Sequence, residues 1–421
     1  MTFADTVRFL SSLGHELKAV KWDLDRIRTV LAALDDPQNQ SRYIHVAGTN
    51  GKGSTCALME SALRASGVRT GLYTSPHLVS PVERIQIDGQ PVSESVWVWA
   101  FEKVHRASEA LLAQEKIDAH PSFFETVTAM AFVAFAEEPL DVVVLETGLG
   151  GRLDATNVVE PELTVITPID FDHEALLGSS IESIAAEKAG ILKPGRPTVF
   201  AEQRPEAFGV LEKRALELDC PVLLSSAWRV SDLSLEKYGS RFLLSGTEEI
   251  PIECPLAGHH QVENVRTAVA ALDCAGLTPP AIRAGIKAAR WPGRLERVAV
   301  DPDVILDGAH NPAGARALAA YIREFFAEEP VRLIFGAMRD KAMDEVIGTL
   351  FPLAAEVIAT APDQPRSLSP EAIRESADHP NLQTAPNLIE ALEIAQTKPM
   401  TTFITGSLYL VGEAHAIFAR A

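Results

Sequence analysis

Residues 45–55 read His45-Val46-Ala47-Gly48-Thr49-Asn50-Gly51-Lys52-Gly53-Ser54-Thr55, between the apolar run Tyr43–Ala47 and a segment with apolar residues at helical spacing. A strand, a glycine-rich turn and a helix in this order are typical of a phosphate-binding loop, because backbone N–H groups and the helix N-terminus can surround an anion. Lys52 would neutralise phosphate oxygens, and a hydroxyl of Ser54 or Thr55 could hold Mg²⁺. The stretch therefore predicts a nucleotide-binding α/β domain.

The general phosphate-loop pattern GxxxxGK[ST] is not fully met. Val46 stands where its first glycine belongs, and Gly53 stands where its serine or threonine belongs. The alternative interpretation is a glycine-rich turn with a solvated lysine. The order of strand, loop and helix favours the phosphate site.

Short β-branched runs and helical patterns alternate along most of the chain, which predicts the α/β class. Predicted strands are Tyr43–Ala47, Thr70–Thr74, Asp141–Leu145, Leu163–Ile166, Val304–Leu306, Val331–Phe335, Glu356–Ala359 and Thr401–Ile404. Residues 223–252 instead alternate polar and apolar side chains, as hairpins do. The breaker Trp291-Pro292-Gly293-Arg294 predicts a boundary. We expect a P-loop domain with a doubly wound, mostly parallel sheet in residues 1–295, and a smaller Rossmann-like α/β domain in residues 296–421.

Composition excludes several classes of function. The 421 residues carry 38 Lys+Arg and 57 Asp+Glu, a net charge of −19, which argues against nucleic acid or anionic membranes as partners. The N-terminus lacks the apolar region of a signal peptide, and no stretch reaches the roughly 18 apolar residues of a membrane span. The four cysteines show no CxxC spacing, so a zinc site or disulfide framework is not expected. These features predict a cytoplasmic protein, with a monomer as the expected state.

A second glycine-rich stretch, Glu146-Thr147-Gly148-Leu149-Gly150-Gly151-Arg152-Leu153-Asp154, follows the strand at 141–145. It fails as a dinucleotide fingerprint because Leu153 replaces the last glycine. Glu146 is better interpreted as a carboxylate that positions a metal ion or water. The alternative is an ordinary glutamate that faces solvent at the end of a strand.

With these segments, the chain resembles the folylpolyglutamate synthase/dihydrofolate synthase family of the Mur ligase superfamily. Gly53, which breaks the general pattern, is what this family has. The resemblance runs in order from about residue 40 to 410. It rests on residues 48–54, Tyr73-Thr74-Ser75-Pro76-His77-Leu78, Glu83-Arg84-Ile85, residues 145–157, Asp170-Phe171-Asp172-His173, Glu187-Lys188-Ala189-Gly190-Ile191, Pro292-Gly293-Arg294 and Asp307-Gly308-Ala309-His310-Asn311-Pro312.

The resemblance implies an ATP-dependent ligase that adds L-glutamate to dihydropteroate, to folyl (poly)glutamates, or to both. The substrate carboxylate takes the γ-phosphoryl group of ATP, and the acyl phosphate is then attacked by the glutamate amine. Two anions must approach each other, so cations are needed between them. Water must also be excluded, which closure of a second domain would achieve.

Site residues follow from the resemblance. It gives the ATP-binding set as Gly48, Thr49, Asn50, Gly51, Lys52, Gly53, Ser54, Asn264, Arg294 and Asp307. Ser75 and Glu146 are implied as ligands of one Mg²⁺, and His173 as a ligand of a second. Chemistry alone disfavours an imidazole as a Mg²⁺ ligand, and the alternative is a loop histidine that caps Ile169–Asp170. Lys188 is implied to carry a CO₂-derived carbamate; taken alone, it is interpreted as a surface ion-pair residue.

Catalytic roles are implied for Lys52, Lys188 and His310, the last from the second domain. Substrate-binding residues are implied at Asp25, Arg26, Arg84, Ser122, Phe123, Phe124, Glu125, Leu153, Asp154 and Ala155. Aromatic faces suit a flat pterin, although Phe123 and Phe124 at a helix start otherwise indicate core. Ser407 follows a strand and is a candidate for the incoming glutamate from its position.

Two other functions compete. One is a Mur-type ligase that joins an amino acid to a peptidoglycan precursor; the glycine-rich loop, the TSPHL segment and the ERI segment follow the folate branch instead. The other is a regulatory NTPase, but the NKxD motif of regulatory GTPases is absent from the sequence. The sequence leaves open which folate activity is present. Asp25, Arg26, Phe124 and Asp154 favour a bifunctional enzyme.

Overall fold

The computed structural model describes residues 1–13, 23–339 and 343–419. The described chain divides into two compact units. The first consists of Met1–Ser231, Leu243–Pro251 and Asn264–Ala289, and the second of Asp232–Phe242, Ile252–Glu263 and Arg290–Ala421. Each unit has its own large sheet.

The first part of the chain alternates strands and helices. In chain order these are α1 (Phe3–Ser12), α2 (Asp25–Ala32), β1 (Tyr43–Ala47), α3 (Lys52–Ala65), β2 (Thr70–Tyr73), β3 (Ile85–Ile87), β4 (Gln90–Pro91), α4 (Glu94–Ala113), α5 (Phe123–Ala136), β5 (Val142–Glu146), β6 (Leu163–Ile166), α6 (Glu174–Leu177), α7 (Ile181–Ala189), β7 (Thr198–Phe200), α8 (Pro205–Glu217) and β8 (Val222–Leu224).

These strands form one sheet in the order β4-β3-β2-β5-β1-β6-β7-β8. The run from β2 to β8 is parallel, and the short strands β3 and β4 add an antiparallel edge. Every residue of β1 and β5 is buried, as expected where helices cover both faces of a parallel sheet. The mostly parallel sheet therefore agrees with the sequence.

Helices of the first unit bury large apolar faces. On α5, Ser122 and Glu125 form a reciprocal capping box, and the helix packs in a core cluster with Tyr73, Trp97 and Phe101. A separate cluster beneath α7 and α8 contains Ile166, Phe200 and Leu211. These two clusters fix the helices that carry the predicted site residues.

The middle of the chain forms β9 (Arg229–Glu236), β10 (Gly239–Ser245) and β11 (Glu249–Cys254), followed by α9 (His259–Cys274) and α10 (Pro279–Ala288). The three strands make a small sheet in the order β11-β10-β9, in the stretch where alternation predicted hairpins. On β11 the burial alternates strictly, which is typical of a strand with one covered face.

The remaining chain forms the second large sheet. Its elements are β12 (Glu296–Ala299), β13 (Val304–Leu306), α11 (Pro312–Phe325), β14 (Val331–Phe335), α12 (Met343–Leu350), β15 (Glu356–Ala359), α13 (Pro370–Glu375), β16 (Leu382–Thr384), α14 (Leu388–Gln396), β17 (Thr401–Thr405) and α15 (Leu408–Phe418).

The order of this sheet is β12-β13-β17-β14-β15-β16, parallel throughout except for the edge strand β12. The predicted fold class, with a doubly wound sheet followed by a second α/β domain, is confirmed. In the described part of the chain no helix combines the length and apolar character needed to span a membrane. The functional division at residue 295 stays a prediction.

Candidate active site

Four neighbouring parallel strands bring the predicted residues of the first unit together. The order β2-β5-β1-β6 places the loops that follow these strands at one edge of the sheet. Ser75 follows β2, Glu146 ends β5, and Gly48 follows β1. Ligands of open α/β sheets bind at this edge. For this reason Ser75 and Glu146 are in contact, although they lie 71 positions apart in the sequence.

The glycine-rich loop is held tightly in place. Gly51, at φ +83°, precedes α3, and a Cβ there would lie 2.2 Å from the Asn264 side-chain oxygen. A Cβ on Gly48 would lie 1.8 Å from the Thr167 hydroxyl. Thr49 donates its hydroxyl to the Asp170 carbonyl at 3.0 Å. Glycine at 48 and 51 is thus required by close approach, and Asn264 lies directly against the loop.

The first turn of α3 carries the rest of the predicted loop. Asn50 donates its backbone N–H to the Pro168 carbonyl at 3.3 Å. Lys52 begins the helix, and Gly53 and Ser54 follow it in the first turn. N–H groups in the first turn of a helix have no acceptor within the helix, so this end of α3 can bind an anion.

Two lysine side chains converge on the loop. The Lys52 Nζ donates to the carbonyl oxygens of Gly48 and Thr49, each at 3.2 Å. The Lys188 Nζ, from α7, donates to the same Gly48 carbonyl at 2.7 Å. Two ammonium groups on one carbonyl create the local positive charge that the acidic chain otherwise lacks.

Lys188 is buried, with only 4% of its surface exposed. Burial, helped by the nearby Lys52 ammonium, lowers the pKa of Lys188 to about 7, while Asp172 and Asp154 act in the opposite direction. Its interpretation, taken alone, as a surface ion-pair residue is therefore wrong. The ion pair on this part of α7 is instead made by the preceding residue, Glu187, which contacts Arg152 at 2.8 Å.

Glu146 is likewise buried, with 3% exposed, so the alternative of a solvent-facing glutamate is wrong. Its carboxylate accepts the Ser75 backbone N–H at 3.0 Å, which brings the two predicted metal ligands together. The buried Thr55 hydroxyl has no hydrogen-bond partner among the described residues. A buried carboxylate with nearby serine and threonine hydroxyls in the loop and after β2 is a hard oxygen donor set, which fits Mg²⁺.

His173 differs from the other predicted ligands. Its side chain is half exposed, its backbone adopts φ +49°, and it stands at the N-cap of the short α6. The nearest carboxylate described for it is Asp172, at 3.7 Å. The negative charge of Asp172 also acts to raise the pKa of Lys188.

Aromatic side chains lie near a second part of the same sheet edge, at the start of α5. The Arg84 guanidinium lies 5.1 Å from the Phe123 ring centroid, and its Nε donates to His77 Nδ1 at 3.0 Å. A Cβ on Gly148 would lie 2.4 Å from the Phe124 ring, which therefore packs on the loop after β5. Phe123 and Phe124 are only partly buried, so aromatic surface remains accessible at the start of α5.

Arg26 links α2 to this region. Its guanidinium contacts Asp118 at 3.1 Å and the buried Glu125 at 3.5 Å. The Glu125 carboxylate also accepts the Ser122 N–H at 2.8 Å in the capping box. Asp25 begins α2 beside Arg26 and is exposed. Arg26, Ser122 and Glu125 are thus brought together, whereas Asp25 lies at the surface.

Asp154 belongs to a buried polar chain that the sequence reasoning missed. It accepts hydrogen bonds from the Leu149 N–H and from the Thr156 hydroxyl, and burial raises its pKa. Because Thr156 donates to Asp154, it accepts from His45 Nε2 at 2.8 Å. Burial lowers the pKa of His45 to about 3, so this imidazole is neutral. A histidine within the apolar run 43–47 was the available signal.

The flanking residues of this segment have different environments. Ala155 is buried in the core, and Leu153 is partly buried. Gly151 packs so closely on α7 that a Cβ would lie 3.0 Å from Lys188 Cα. The loop after β5 therefore positions both the substrate-side residues and Lys188.

In the second unit, four predicted residues also lie at one sheet edge: Asp307 and His310 follow β13, Ser407 follows the paired strand β17, and Arg294 precedes the antiparallel strand β12. Asp307 accepts the N–H groups of Leu295 and Ala309, each at 3.0 Å, and burial raises its pKa against the effect of Arg294. A Cβ on Gly308 would lie 2.4 Å from Arg294 Nη1. His310 Nδ1 pairs with the Gly308 carbonyl at 2.8 Å, and Ser407 caps α15.

Comparison with known proteins agrees with this arrangement. Residues 46–272 match the Mur ligase middle domain, and residues 293–408 match the "Mur ligase, glutamate ligase domain". The dihydrofolate synthase/folylpolyglutamate synthase of Bacillus subtilis is 37% identical over 407 residues, with 94% of each chain covered. The fold and its phosphate loop thus define an ATP-dependent ligase of the Mur type.

Solved structures point the same way. Mycobacterium tuberculosis folylpolyglutamate synthase complexed with ADP superposes with a TM-score of 0.94 at 35% identity, covering 100% of this chain and 98% of that one. Escherichia coli FolC in complex with DHPP and ADP gives 0.89 at 30% identity, with the same coverage. The chain belongs to the dihydrofolate synthase/folylpolyglutamate synthase family.

Proposed function

We propose that this chain joins L-glutamate through an amide bond both to dihydropteroate and to reduced folyl (poly)glutamates, with conversion of ATP to ADP and phosphate. The observation that carries the proposal is the convergence of Lys52 and Lys188 on the Gly48 carbonyl. The positive charge of Lys52 can compensate the repulsion between a substrate carboxylate and the γ-phosphate, and Lys188 lies beside it on the same carbonyl. The two folate activities share this chemistry and differ in how the pterin lies.

The reaction has two steps. A carboxylate oxygen attacks the γ-phosphorus, and the bond to the bridging oxygen of ADP breaks. The glutamate amine then attacks the acyl carbon, loses a proton and displaces phosphate. Loop N–H groups and Lys52 hold the phosphates, while the phenylalanine rings and Arg84 offer a surface for the pterin.

Ser75 and Glu146, with a hydroxyl from Ser54 or Thr55, would hold one Mg²⁺, and His173 would serve a second. Bound Mg²⁺ supplies charge stabilisation to the phosphate oxygens. Lys188 has a pKa near 7, so a neutral amine that can react with CO₂ is present at neutral pH. A carbamate at this position would offer an anionic oxygen ligand.

Further roles complete the proposal. Asn264, Arg294 and Asp307 would contact the nucleotide, and His310 would act as the catalytic residue of the second domain, residues 296–421. Ser407 would bind the incoming glutamate, and Asp25 and Leu153 would lie at the pteroate side. The enzyme would act as a monomer in the cytoplasm.

The experiment measures ADP release with Mg²⁺, ATP and L-glutamate, with dihydropteroate or a reduced monoglutamyl folate in separate reactions and mass detection of products. Glutamate adducts of both substrates are expected. An adduct of only one would refute bifunctionality and assign the enzyme to that half of the reaction sequence. Folded protein that binds ATP but uses neither would favour the peptidoglycan-precursor ligase.

A further inference from the structure

A cluster of two histidines and one glutamate lies on α4 and on the segment that leads into α5. His105 and Glu109 are one helical turn apart on α4, and His120 precedes the N-cap of α5 by two residues. None of the three belongs to the predicted ATP, metal or folate residues. Among the described residues, this is where histidine, cysteine and carboxylate groups come together closely enough to share a metal ion.

The donor atoms are spaced as ligands of one ion are. Glu109 Oε1 lies 2.9 Å from His120 Nε2 and 3.9 Å from His105 Nε2, and all three donor atoms lie within 4.8 Å of one another. Bonds of about 2.0–2.1 Å at tetrahedral angles place ligand atoms roughly 3.3 Å apart. Sub-ångström to ångström side-chain adjustments would therefore bring the three atoms onto one centre.

Aromatic packing fixes the two imidazoles. Their rings are stacked at 5.7 Å with 13° between the planes, and Phe9 of α1 packs edge-on to both, at 4.8 Å and 5.7 Å. Phe101 stacks on His105 at 5.3 Å. The histidine side chains are 20% and 27% exposed and Glu109 is 56% exposed, so the cluster is built into the protein on one side and open to water on the other.

We propose that His105, Glu109 and His120 bind one Zn²⁺ ion, with water completing the coordination. Two imidazoles and one carboxylate are a ligand set that Zn²⁺ accepts with tetrahedral geometry. Mg²⁺ prefers oxygen donors and octahedral geometry, so it does not compete effectively here. The bound ion connects the C-terminal half of α4 to the segment that begins α5.

The test is calorimetric titration of Zn²⁺ into the chelator-treated full chain, with excess Mg²⁺ and ADP present to fill the nucleotide site. Wild type is expected to bind one equivalent of Zn²⁺ more than the His105→Gln/His120→Gln double variant. His415→Gln is the matched control, because His415 also pairs with a glutamate, Glu296, at 3.4 Å and is similarly exposed. This control should keep the full stoichiometry.

Two further measurements sharpen the result. Titration with Co²⁺ should give the visible absorption of a four-coordinate ion in wild type and His415→Gln, and this signal should be missing from the double variant. Zn²⁺ should raise the melting temperature of wild type more than that of the double variant. Cysteine-bound zinc would remain in all variants and therefore cancels in the comparison.

Equal stoichiometry in wild type and the double variant would overturn the proposal, as would the absence of any Zn²⁺ binding to folded wild type. In those cases the cluster is only a side-chain contact between Glu109 and His120, at 2.9 Å. Circular dichroism of the double variant at matched concentration establishes that it is folded. The result is independent of glutamate ligase activity, which neither histidine is expected to change.

Discussion

The Lys188 ammonium group donates a hydrogen bond to the Gly48 carbonyl at 2.7 Å, across 140 positions of the sequence. Lys52 binds the same oxygen at 3.2 Å. The contact ties α7 to the phosphate loop and makes Lys188 part of the same charged cluster. Burial, together with the nearby Lys52 ammonium group, lowers the pKa of Lys188 to about 7.

Stability should therefore respond to the titration of Lys188. Its pKa in the folded protein is about 7, below the ordinary value of 10.5, so between these pH values the unfolded chain binds one more proton at this residue than the folded chain. The free energy of unfolding contributed by this residue rises with pH across that window. Lys188→Met should lack this rise when urea unfolding is followed from pH 7 to 10 in CO₂-depleted buffer.

Lys103→Met is the control for this measurement, since Lys103 is a partly exposed lysine paired with Glu137 at 2.7 Å. Its pH dependence should parallel that of wild type. Parallel curves for Lys188→Met and wild type would show that Lys188 keeps an ordinary pKa.

A carbamate on Lys188 makes a chemical prediction. Lys188→Ala should lower turnover by at least about 100-fold, and formate or acetate should restore part of it, because a short carboxylate can occupy the site of the lost group. Lys52→Ala should lose activity to a similar extent, but a carboxylate should not restore it, because the group lost from this variant is a cation. Turnover is measured as ADP release at increasing carboxylate concentration. Rescue of both variants, or of neither, would contradict the carbamate.

Glu146→Gln should leave the protein folded while reducing turnover by at least about 100-fold at matched Mg²⁺. The amide keeps the volume of the side chain and an oxygen that can accept the Ser75 N–H, but it removes the charge. Glu137→Gln, at the exposed C-cap of α5, is the control and should behave as wild type. Wild-type turnover in folded Glu146→Gln would remove this residue from the metal site.

The sequence predicted the strands well because their signal is local. The apolar runs 43–47, 163–166 and 331–335 coincide with β1, β6 and β14. The carboxyl-end location of Glu146 also followed from one strand and one glycine-rich turn. Such features depend on residues that are neighbours in the chain, so pattern and spacing are enough to find them.

Burial and long-range pairing were not predictable in the same way. A lysine next to a glutamate on a helix is typical of the surface, but Lys188 is buried, and Gly151 from the loop after β5 packs against its backbone. The chain from His45 through Thr156 to Asp154 spans residues 111 positions apart at its longest step. The His105, Glu109 and His120 cluster depends on how the segment before α5 folds back on α4. These features are decided by tertiary packing.

Gly51 and Gly67, two of the glycines with positive φ, allow backbone strain to be distinguished from a role in nucleotide binding. Gly51 has φ +83°, and a Cβ there would meet the Asn264 side chain at 2.2 Å; Gly67 has φ +88° with nothing within 4 Å. Alanine at position 67 should lower the free energy of unfolding by about 1–2 kcal/mol, the cost of the left-handed conformation. Alanine at position 51 should lower it further because of the clash with Asn264. Only Gly51→Ala should also weaken ADP binding, because it displaces Asn264 and the loop.

Calorimetric titration with ADP and urea unfolding of both variants check this prediction. Gly67→Ala should bind ADP as wild type does. Equal ADP affinity in Gly51→Ala and Gly67→Ala would show that the loop tolerates the clash and that Asn264 does not contribute to nucleotide binding.

The aromatic surface at the start of α5 predicts that a substitution there changes the KM for the pterin-containing substrate but not the KM for ATP. Phe124 is partly buried and packs on Gly148, whereas Phe132 on the same helix is fully buried in the core. Phe124→Leu should raise the KM for the pterin-containing substrate several-fold and leave the KM for ATP unchanged, because it removes a flat contact surface. Phe132→Leu should instead lower the free energy of unfolding by about 1–3 kcal/mol with both KM values retained.

Steady-state kinetics with each substrate varied in turn, together with urea unfolding, distinguish these outcomes. If Phe124→Leu changed only stability, the ring would serve the core and the pterin would have to lie elsewhere along the edge. If it raised the KM of dihydropteroate but not that of the folylglutamate, the two substrates would use different surfaces, with Arg26 and Asp154 the next positions to substitute. A rise in KM is expected for both substrates, because both carry a pterin, and its size should differ between them because the pterin lies differently in the two reactions.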